Sequence, residues 1–350
     1  MKIAQVRIVG TGLIGTSIAL GLAARGIRII PIDERLENQK LAEDLLVGHL
    51  GDGESDLTIL ATPPLATFKS LQSEFARNPQ QRFIDTGSVK TKLLQEVSQL
   101  PELARRFLGT HPMAGRELSG AGAAQSDLFQ GRAWFLTPTK ESDRELIADV
   151  RDLVQSLGAT PYEIEGAEHD SLLASISHLP QILSSALAGS ISESERLELA
   201  GQGLRDMVRI ASSDSYLWSE ILLENRENII ETIERFSQSL QEMKSALLAS
   251  DEENIHEFFA KGIEGSKKVS GKHGSLPRNY QKLSIVIEDK PGQLSRLFLQ
   301  CAEINANIED LSIEHSPGQE TGLIKLSFSP DDAIRVADHL RSHSWKVHQT

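Results

Sequence analysis

Short apolar runs alternate with amphipathic stretches over the first half of the chain, and this alternation predicts its layout. Residues 4–9, 27–32, 57–61, 83–85, 106–109, 133–136 and 160–164 are brief and apolar, and fit buried strands. Helical patterns such as 16–25 lie between them, which predicts a parallel sheet covered by helices. From residue 167 to 259 the strand signal vanishes and the pattern is almost continuously helical. Residues 262–278 carry four glycines, a proline and four Lys or Arg, and read as a linker. The tail then reads strand 282–287, turn 288–292, helix 293–303, strands near 308–314 and 322–328, helix 331–341 and strand 345–347. That βαββαβ order is a ferredoxin-like plan.

The first strand runs into Gly10-Thr11-Gly12-Leu13-Ile14-Gly15, with a helix after it. This is G-x-G-x-x-G in the context that gives it meaning: a tight turn, close backbone approach to a pyrophosphate, and helix amides free for phosphate. The second strand ends at Asp33, about 20 residues on, where an acid accepts ribose hydroxyls and repels a 2′-phosphate. Asp33 therefore points to NAD, while Arg35 nearby leaves NADP open. The strand ends at Thr62-Pro63-Pro64 and Thr86-Gly87-Ser88-Val89-Lys90 should lie along the same sheet edge, so Thr62, Pro63 and Ser88 face the same ligand. The fold class expected is a Rossmann-like α/β dinucleotide-binding domain (1–165), an all-α dimerisation domain (166–262), a linker (263–280) and a ferredoxin-like domain (281–350).

Candidate chemistry gathers around Gly109-Thr110-His111-Pro112-Met113-Ala114-Gly115. Pro112 is expected to stop the ladder and place His111 at the strand's mouth. A neutral imidazole there can take a hydroxyl proton near pH 7. Ser88, on the neighbouring strand end, is close enough to orient it. In the helical region, Asp170, Ser177 and Gln181 are spaced by seven and four and should share one face. Pro180 should kink that helix. Arg205, Asp206 and Arg209 should share another face, and an arginine held by an acid is a ready fork for a carboxylate. Trp218 either covers the same pocket or belongs to the core.

Bulk composition narrows the partners. With 350 residues, 39% apolar content and a formal net charge of −13, the chain is globular and a poor match for nucleic acid or an anionic membrane. Any anionic ligand needs local cations or amides. The single cysteine, Cys301, permits no internal disulfide, and no apolar run has the length to span a bilayer, so a cytoplasmic setting is expected. The apolar helical segment is expected to pack against a second copy, giving a homodimer.

Five motifs in order resemble the prephenate/arogenate dehydrogenase family, across residues 4–260: the glycine loop, Asp85-Thr86-Gly87-Ser88-Val89-Lys90, the His111 stretch, Ser177-His178-Leu179-Pro180 and Arg205-Asp206-Met207-Val208-Arg209-Ile210-Ala211. The tail resembles an ACT regulatory domain through Asp289-Lys290-Pro291-Gly292-Gln293-Leu294. The resemblance implies NAD-dependent oxidative decarboxylation of a cyclohexadienol, with prephenate or arogenate as substrate. It implies His111 as the catalytic histidine, Ser88 orienting it, Arg209 gripping the ring carboxylate and Asp206 supporting Arg209. Glu117, His169, Asp170, Ser177 and Trp218 match positions that shape the pocket. Some relatives carry a second histidine where this chain has Gln181, which leaves keto-acid and amino-acid side chains both open. The ACT resemblance implies L-tyrosine as an inhibitor at Asp289, Pro291, Gly292 and Leu294. The rivals are a β-hydroxyacid-type dehydrogenase, disfavoured because residues 167–240 hold no lysine, and a non-catalytic NAD or amino-acid sensor. No metal is expected, since the histidines lack spacing such as H-E-x-x-H.

Overall fold

A computed structural model describes residues 3–115, 120–191, 196–269, 280–288, 290–315 and 321–349. The chain divides into two compact units, Met1–Glu242 and Met243–Thr350. The division falls inside the long helix Arg226–Ala249.

The first unit is built on a seven-stranded sheet: β1 Gln5–Val9, β2 Arg28–Ile32, β3 Leu57–Leu60, β4 Phe83–Asp85, β5 Phe107–Pro112, β6 Ala133–Thr137 and β7 Thr160–Glu163. Its spatial order is β2-β1-β3-β4-β5-β6-β7. Every pairing is parallel except β5 with β6. Val6, Ile8, Leu57, Ile59 and Leu108 are buried, as strands covered on both faces require. The helix Leu13–Ala23 packs onto this core through Ile18 and Leu22.

Two expectations need correction. Pro112 does not stop β5. The strand runs to Pro112, with His111 opposite Phe135 and Pro112 opposite Trp134. The reason is that β4 leaves β5 after Leu108, so beyond that point one side of β5 is an edge, where proline loses no ladder bond. The linker also begins later than expected. The helix Glu252–Lys268 continues through Gly262 and Gly265, with ion pairs Lys261–Glu257 and Lys267–Glu264 along it. Two lysines in its last turn suit the negative helix end. Residues 270–279 lie outside the described residues.

The helical part of the first unit is less regular than its pattern. The helix Gly166–Leu173 passes into a π-helical turn, Ala174–His178, and then into the helix Leu179–Ser190. Pro180 has no amide to offer the carbonyl four residues back. The chain responds by widening the preceding turn, where the Leu179 amide bonds to Ala174 O, instead of bending sharply.

In the second unit, β8 Gln281–Glu288, β9 Asp310–His315, β10 Thr321–Phe328 and β11 Lys346–Gln349 form an antiparallel sheet of order β11-β8-β10-β9. The helices Gln293–Glu303 and Pro330–Ser342 connect them, so the βαββαβ plan is realised. Leu283, Ile285, Leu297, Ile324, Leu326, Val336 and Leu340 form their shared core.

Candidate active site

Where β4 and β5 part, side chains replace the missing ladder. The Asp85 carboxylate accepts the Thr110 amide at 3.0 Å and the Gly87 amide at 2.8 Å, and pairs with Lys90 Nζ. Lys90 Nζ also donates to the Thr110 carbonyl at 2.8 Å. Neither Asp85 nor Lys90 has any solvent exposure. A buried ion pair needs such added hydrogen bonds to offset desolvation. Trp134 Nε1 donates to Thr110 Oγ1 at 3.0 Å, completing a rigid mount for the residue beside His111.

A chain of polar contacts runs from that mount into the helical part of the unit. His111 Nδ1 lies 2.9 Å from His169 Nε2, and His169 Nδ1 lies 2.8 Å from Asp170 Oδ1. The Asp170 carboxylate also accepts the amides of Lys90 (2.9 Å) and Thr91 (2.7 Å), at the start of the helix Thr91–Ser98. Burial pushes the Asp170 carboxyl up, but the bonds from His169, Thr91 and Lys90 outweigh it and hold it below its ordinary value. An ionised carboxylate only accepts, which assigns the His169 proton to Nδ1. An imidazole with its single proton on Nδ1 accepts at Nε2, and in that arrangement His111 carries its proton on Nδ1. His111 Nε2 is left as a lone pair. Burial above all, with the neighbouring His169, Lys90 and His178 opposing a further proton, keeps His111 well below the usual histidine range. It is therefore a neutral base at pH 7.

His178 completes the buried cluster. Asn225 Nδ2 donates to His178 Nδ1 at 3.1 Å and to the Asp170 carbonyl at 2.8 Å. Burial lowers the His178 pKa to about 4, Asp170 acting in the opposite direction. The proton of neutral His178 thus sits on Nε2, a buried donor with no hydrogen-bond partner among the described residues. Trp218 meets this ring edge to face at 6.0 Å. By regular helical spacing His178 falls well off the Asp170 face. In a regular helix, eight residues end about 80° past the start, but the π turn absorbs that angle and both side chains are buried.

Other expected site residues fall into place unevenly. Ser88 is half-buried in the loop after β4, and no Ser88–His111 hydrogen bond occurs among the described residues; His169 holds the imidazole instead. Gln181 is buried, and its amide is spent on the neighbouring turn: Nε2 donates to Ile210 O at 2.9 Å and Oε1 accepts from Ser213 Oγ at 3.4 Å. Ser177 is half-buried beside His178. The helix Gln202–Val208 ends before Arg209, which caps it with helical dihedrals and opens a 3₁₀ turn, Arg209–Ser212. Asp206 accepts from Gln202 Nε2 at 2.8 Å. Glu117 and Asp289 lie outside the described residues.

The glycine loop fits a dinucleotide. Gly10 has φ +96°, and a Cβ on Gly15 would stand 1.9 Å from the Gly10 carbonyl oxygen, so neither admits a side chain. Nothing lies within 4 Å of a Cβ placed on Gly12, which leaves open space over the loop. Asp33 Oδ2 accepts from Thr11 N (2.7 Å) and Thr11 Oγ1 (2.9 Å), and Oδ1 from Arg35 N (2.9 Å) and, more weakly, Asn38 Nδ2 (3.4 Å). Burial opposes ionisation of Asp33, yet these donors hold its pKa below the usual value. Thr62 and Pro63 lead into the helix Pro64–Arg77 on the same edge.

Residues 18–163 match the family model described as prephenate dehydrogenase, nucleotide-binding domain, and residues 165–261 match prephenate dehydrogenase, dimerization domain. The prephenate dehydrogenase of Lactococcus lactis subsp. cremoris (strain MG1363) is 30% identical over 349 residues, spanning 95% of this chain and 96% of that protein. The prephenate dehydrogenase of A. aeolicus, solved with hydroxyphenyl propionate and NAD+, superposes with a TM-score of 0.69 at 28% identity, covering 77% of this chain and 99% of that one. The arogenate dehydrogenase of Synechocystis gives 0.64 at 27% identity, covering 75% and 99%. With a nucleotide loop and a buried neutral base on one sheet edge, and a relative aligned nearly end to end, the chain belongs to the prephenate dehydrogenase family and is an NAD-dependent oxidoreductase.

Proposed function

We propose that the chain converts prephenate to 4-hydroxyphenylpyruvate and CO2 in L-tyrosine biosynthesis. The observation that carries this reading is the Asp170–His169–His111 chain, which leaves one unprotonated nitrogen, His111 Nε2, for a substrate hydroxyl. When bound at the glycine loop, NAD supplies the acceptor for the hydrogen and electron pair that leave ring carbon C4. His111 Nε2 takes the C4 hydroxyl proton as the carbonyl forms. The C1–carboxylate bond then breaks, its electron pair enters the ring, and the same nitrogen returns the proton to the oxygen as the ring becomes aromatic. Such general-base help is worth roughly 10²–10⁴-fold. Arg209 grips the ring carboxylate, Asp206, Glu117, Ser177 and Trp218 shape the pocket, and Ser88 meets the cofactor side. The His178 Nε2–H is a further donor for a ligand oxygen.

Arogenate is the second reading, favoured by Gln181 in a place where some relatives carry histidine, and by likeness to an arogenate dehydrogenase. The deciding measurement is kcat/KM for both substrates with NAD and with NADP. At least ten-fold preference for prephenate with NAD is the expected result. The reverse preference would establish the arogenate reading.

The chain acts as a homodimer through its helical region, where Tyr216, Leu223 and Leu248 stand largely exposed. Tyrosine inhibits through the tail, an ACT-type domain. A cavity of about 330 Å³ there is lined by Pro291, Gly292 and Leu294, within the size range of small-molecule sites. Gly292 caps the helix Gln293–Glu303 at φ +86°. Deleting residues 280–350 should abolish tyrosine inhibition and leave turnover. Unchanged inhibition would move the effect to the active site.

A further inference from the structure

At the far end of the tail domain from Gly292, two helices finish side by side. The helix Gln293–Glu303 ends with Glu303, and the helix Pro330–Ser342 ends with His339 one turn before the capping residue His343. One ligand atom from each of Glu303, His339 and His343 lies within 4.8 Å of the other two. We propose that these three side chains bind a divalent transition-metal cation of the Zn²⁺ class.

Four observations support it. His339 Nε2 stands 3.5 Å from Glu303 Oε2. Two ligands on a tetrahedral ion with bonds of about 2.0–2.1 Å are separated by about 3.4 Å, so this pair already has the required spacing. His343 Nδ1 lies 2.9 Å from the His339 carbonyl, to which it donates; the nearby Ser342 hydroxyl spends its own hydrogen on that same carbonyl at 2.7 Å. This fixes the tautomer that leaves His343 Nε2 with a lone pair, the arrangement by which outer partners orient ligating imidazoles. Gln300 Nε2 donates to Glu303 Oε2 at 3.0 Å and steadies the carboxylate. Finally, His339 Nε2 and Gln300 Oε1 are both buried without a hydrogen-bond partner among the described residues. Two such atoms beside one carboxylate are costly as they stand. An ion satisfies His339 Nε2 directly, and a water on that ion donates to Gln300 Oε1.

The ligand set selects the ion. Two imidazoles and one carboxylate suit Zn²⁺, Co²⁺, Ni²⁺ or Cu²⁺, whereas Mg²⁺ and Ca²⁺ demand oxygen. A cavity of about 190 Å³ adjoins the site, lined by Gln300, Glu303, His343, Trp345 and Arg296, whose guanidinium lies over the Trp345 ring at 5.9 Å. The two histidines are four residues apart, the spacing of the histidines in H-E-x-x-H without its glutamate, which a search for that motif passes over. The site joins the ends of two helices that share one core, so occupancy should stabilise the tail domain.

The test uses the full-length chain, stripped with chelator and titrated with Co²⁺ by visible absorption and with Zn²⁺ by calorimetry. His343→Gln and the double variant His339→Gln/His343→Gln are titrated alongside. His343 is exposed, so its single variant should fold, and a metal-free Tm equal to that of the stripped wild type reports that it does. The expected result is one tight ion per wild-type chain, tetrahedral cobalt absorption, and at least a ten-fold loss of affinity in His343→Gln. Zinc should raise the Tm of the wild type but not of the double variant. Equal affinity in wild type and double variant would overturn the proposal, since the metal would then be held elsewhere, for instance by the His111–His169–His178 cluster. Absence of saturable binding, or Mg²⁺ binding as tightly as Zn²⁺, would overturn it equally.

Discussion

The two walls of the candidate active site are built by opposite means. The wall made by β4 and β5 is a sheet edge whose ladder is missing, and every gap in it is filled by a buried, fully bonded side chain: Asp85, Lys90, Thr110 and Trp134. The helical wall is interrupted twice, by a π turn before Pro180 and by a 3₁₀ turn at Arg209. His111 is buried; Arg209 is exposed. His111 is held within a lattice of short bonds, while Arg209, proposed to grip the carboxylate, is carried on a turn that Gln181 and Ser213 bond to. Proton transfer tolerates little misplacement. Seizing an incoming anion tolerates more, and gains from reach.

The comparison breaks first at its strongest point. His111→Ala should lower kcat by roughly 10²–10⁴-fold while NAD binding stays within two-fold of wild type. Single-turnover kinetics with fluorescence titration of the dinucleotide would separate the two, and near-normal turnover would remove the base assignment. Asp85→Asn should cost about 3–5 kcal/mol of stability in urea unfolding, because it strands Lys90 without a charge partner inside the sheet. A change below about 1 kcal/mol would mean that the mount is not rigid.

A third test concerns pH. The His178 pKa falls from 6.5 to about 4 on folding. The unfolded chain therefore binds more protons between those values, and stability drops as pH falls from 6.5 toward 4. The buried ring accounts for about 3 kcal/mol across that window. His178→Gln should make the decline in Tm between pH 7 and pH 4.5 shallower, the remainder coming from His111, which burial also holds well below the usual histidine range. Asp170, held below its ordinary value, contributes its own loss only at lower pH. A variant profile parallel to that of wild type would place the acid sensitivity in another group.

These features differ in how visible they are along the chain. The glycine loop and Asp33 were legible because they meet within one βαβ unit, and the Thr11–Asp33 bonds follow from that short separation. The tail topology was legible because its strands and helices have clean periods and bounded turns. The β5 extension was not, because a proline reads as a ladder stop unless one knows that a neighbouring strand has already departed. The π turn hides for a similar reason: Pro180 announces a disturbance, but not whether the helix bends or widens. The contact between His111 and His169 joins positions 58 residues apart and has no local signature. Asp85 and Lys90 stand in a quoted motif, yet nothing in their spacing of five shows that both are completely buried.

The helical wall offers the smallest and sharpest test. Gln181 spends its amide on Ile210 O and Ser213 Oγ, so it acts on Arg209 through the turn that carries it. Truncating that amide frees the turn without touching the His111 chain. Gln181→Ala should therefore raise KM about three- to ten-fold, the effect of roughly one hydrogen bond, and leave kcat within two-fold. Arg209→Ala should raise KM further, and the double variant should be no worse than Arg209→Ala alone, since the amide has nothing left to position. Additive losses would show instead that Gln181 meets the substrate directly. In that case the residue belongs to the ligand's surface and not to the scaffold of the arginine, and the helical wall is less adjustable than its two interruptions suggest.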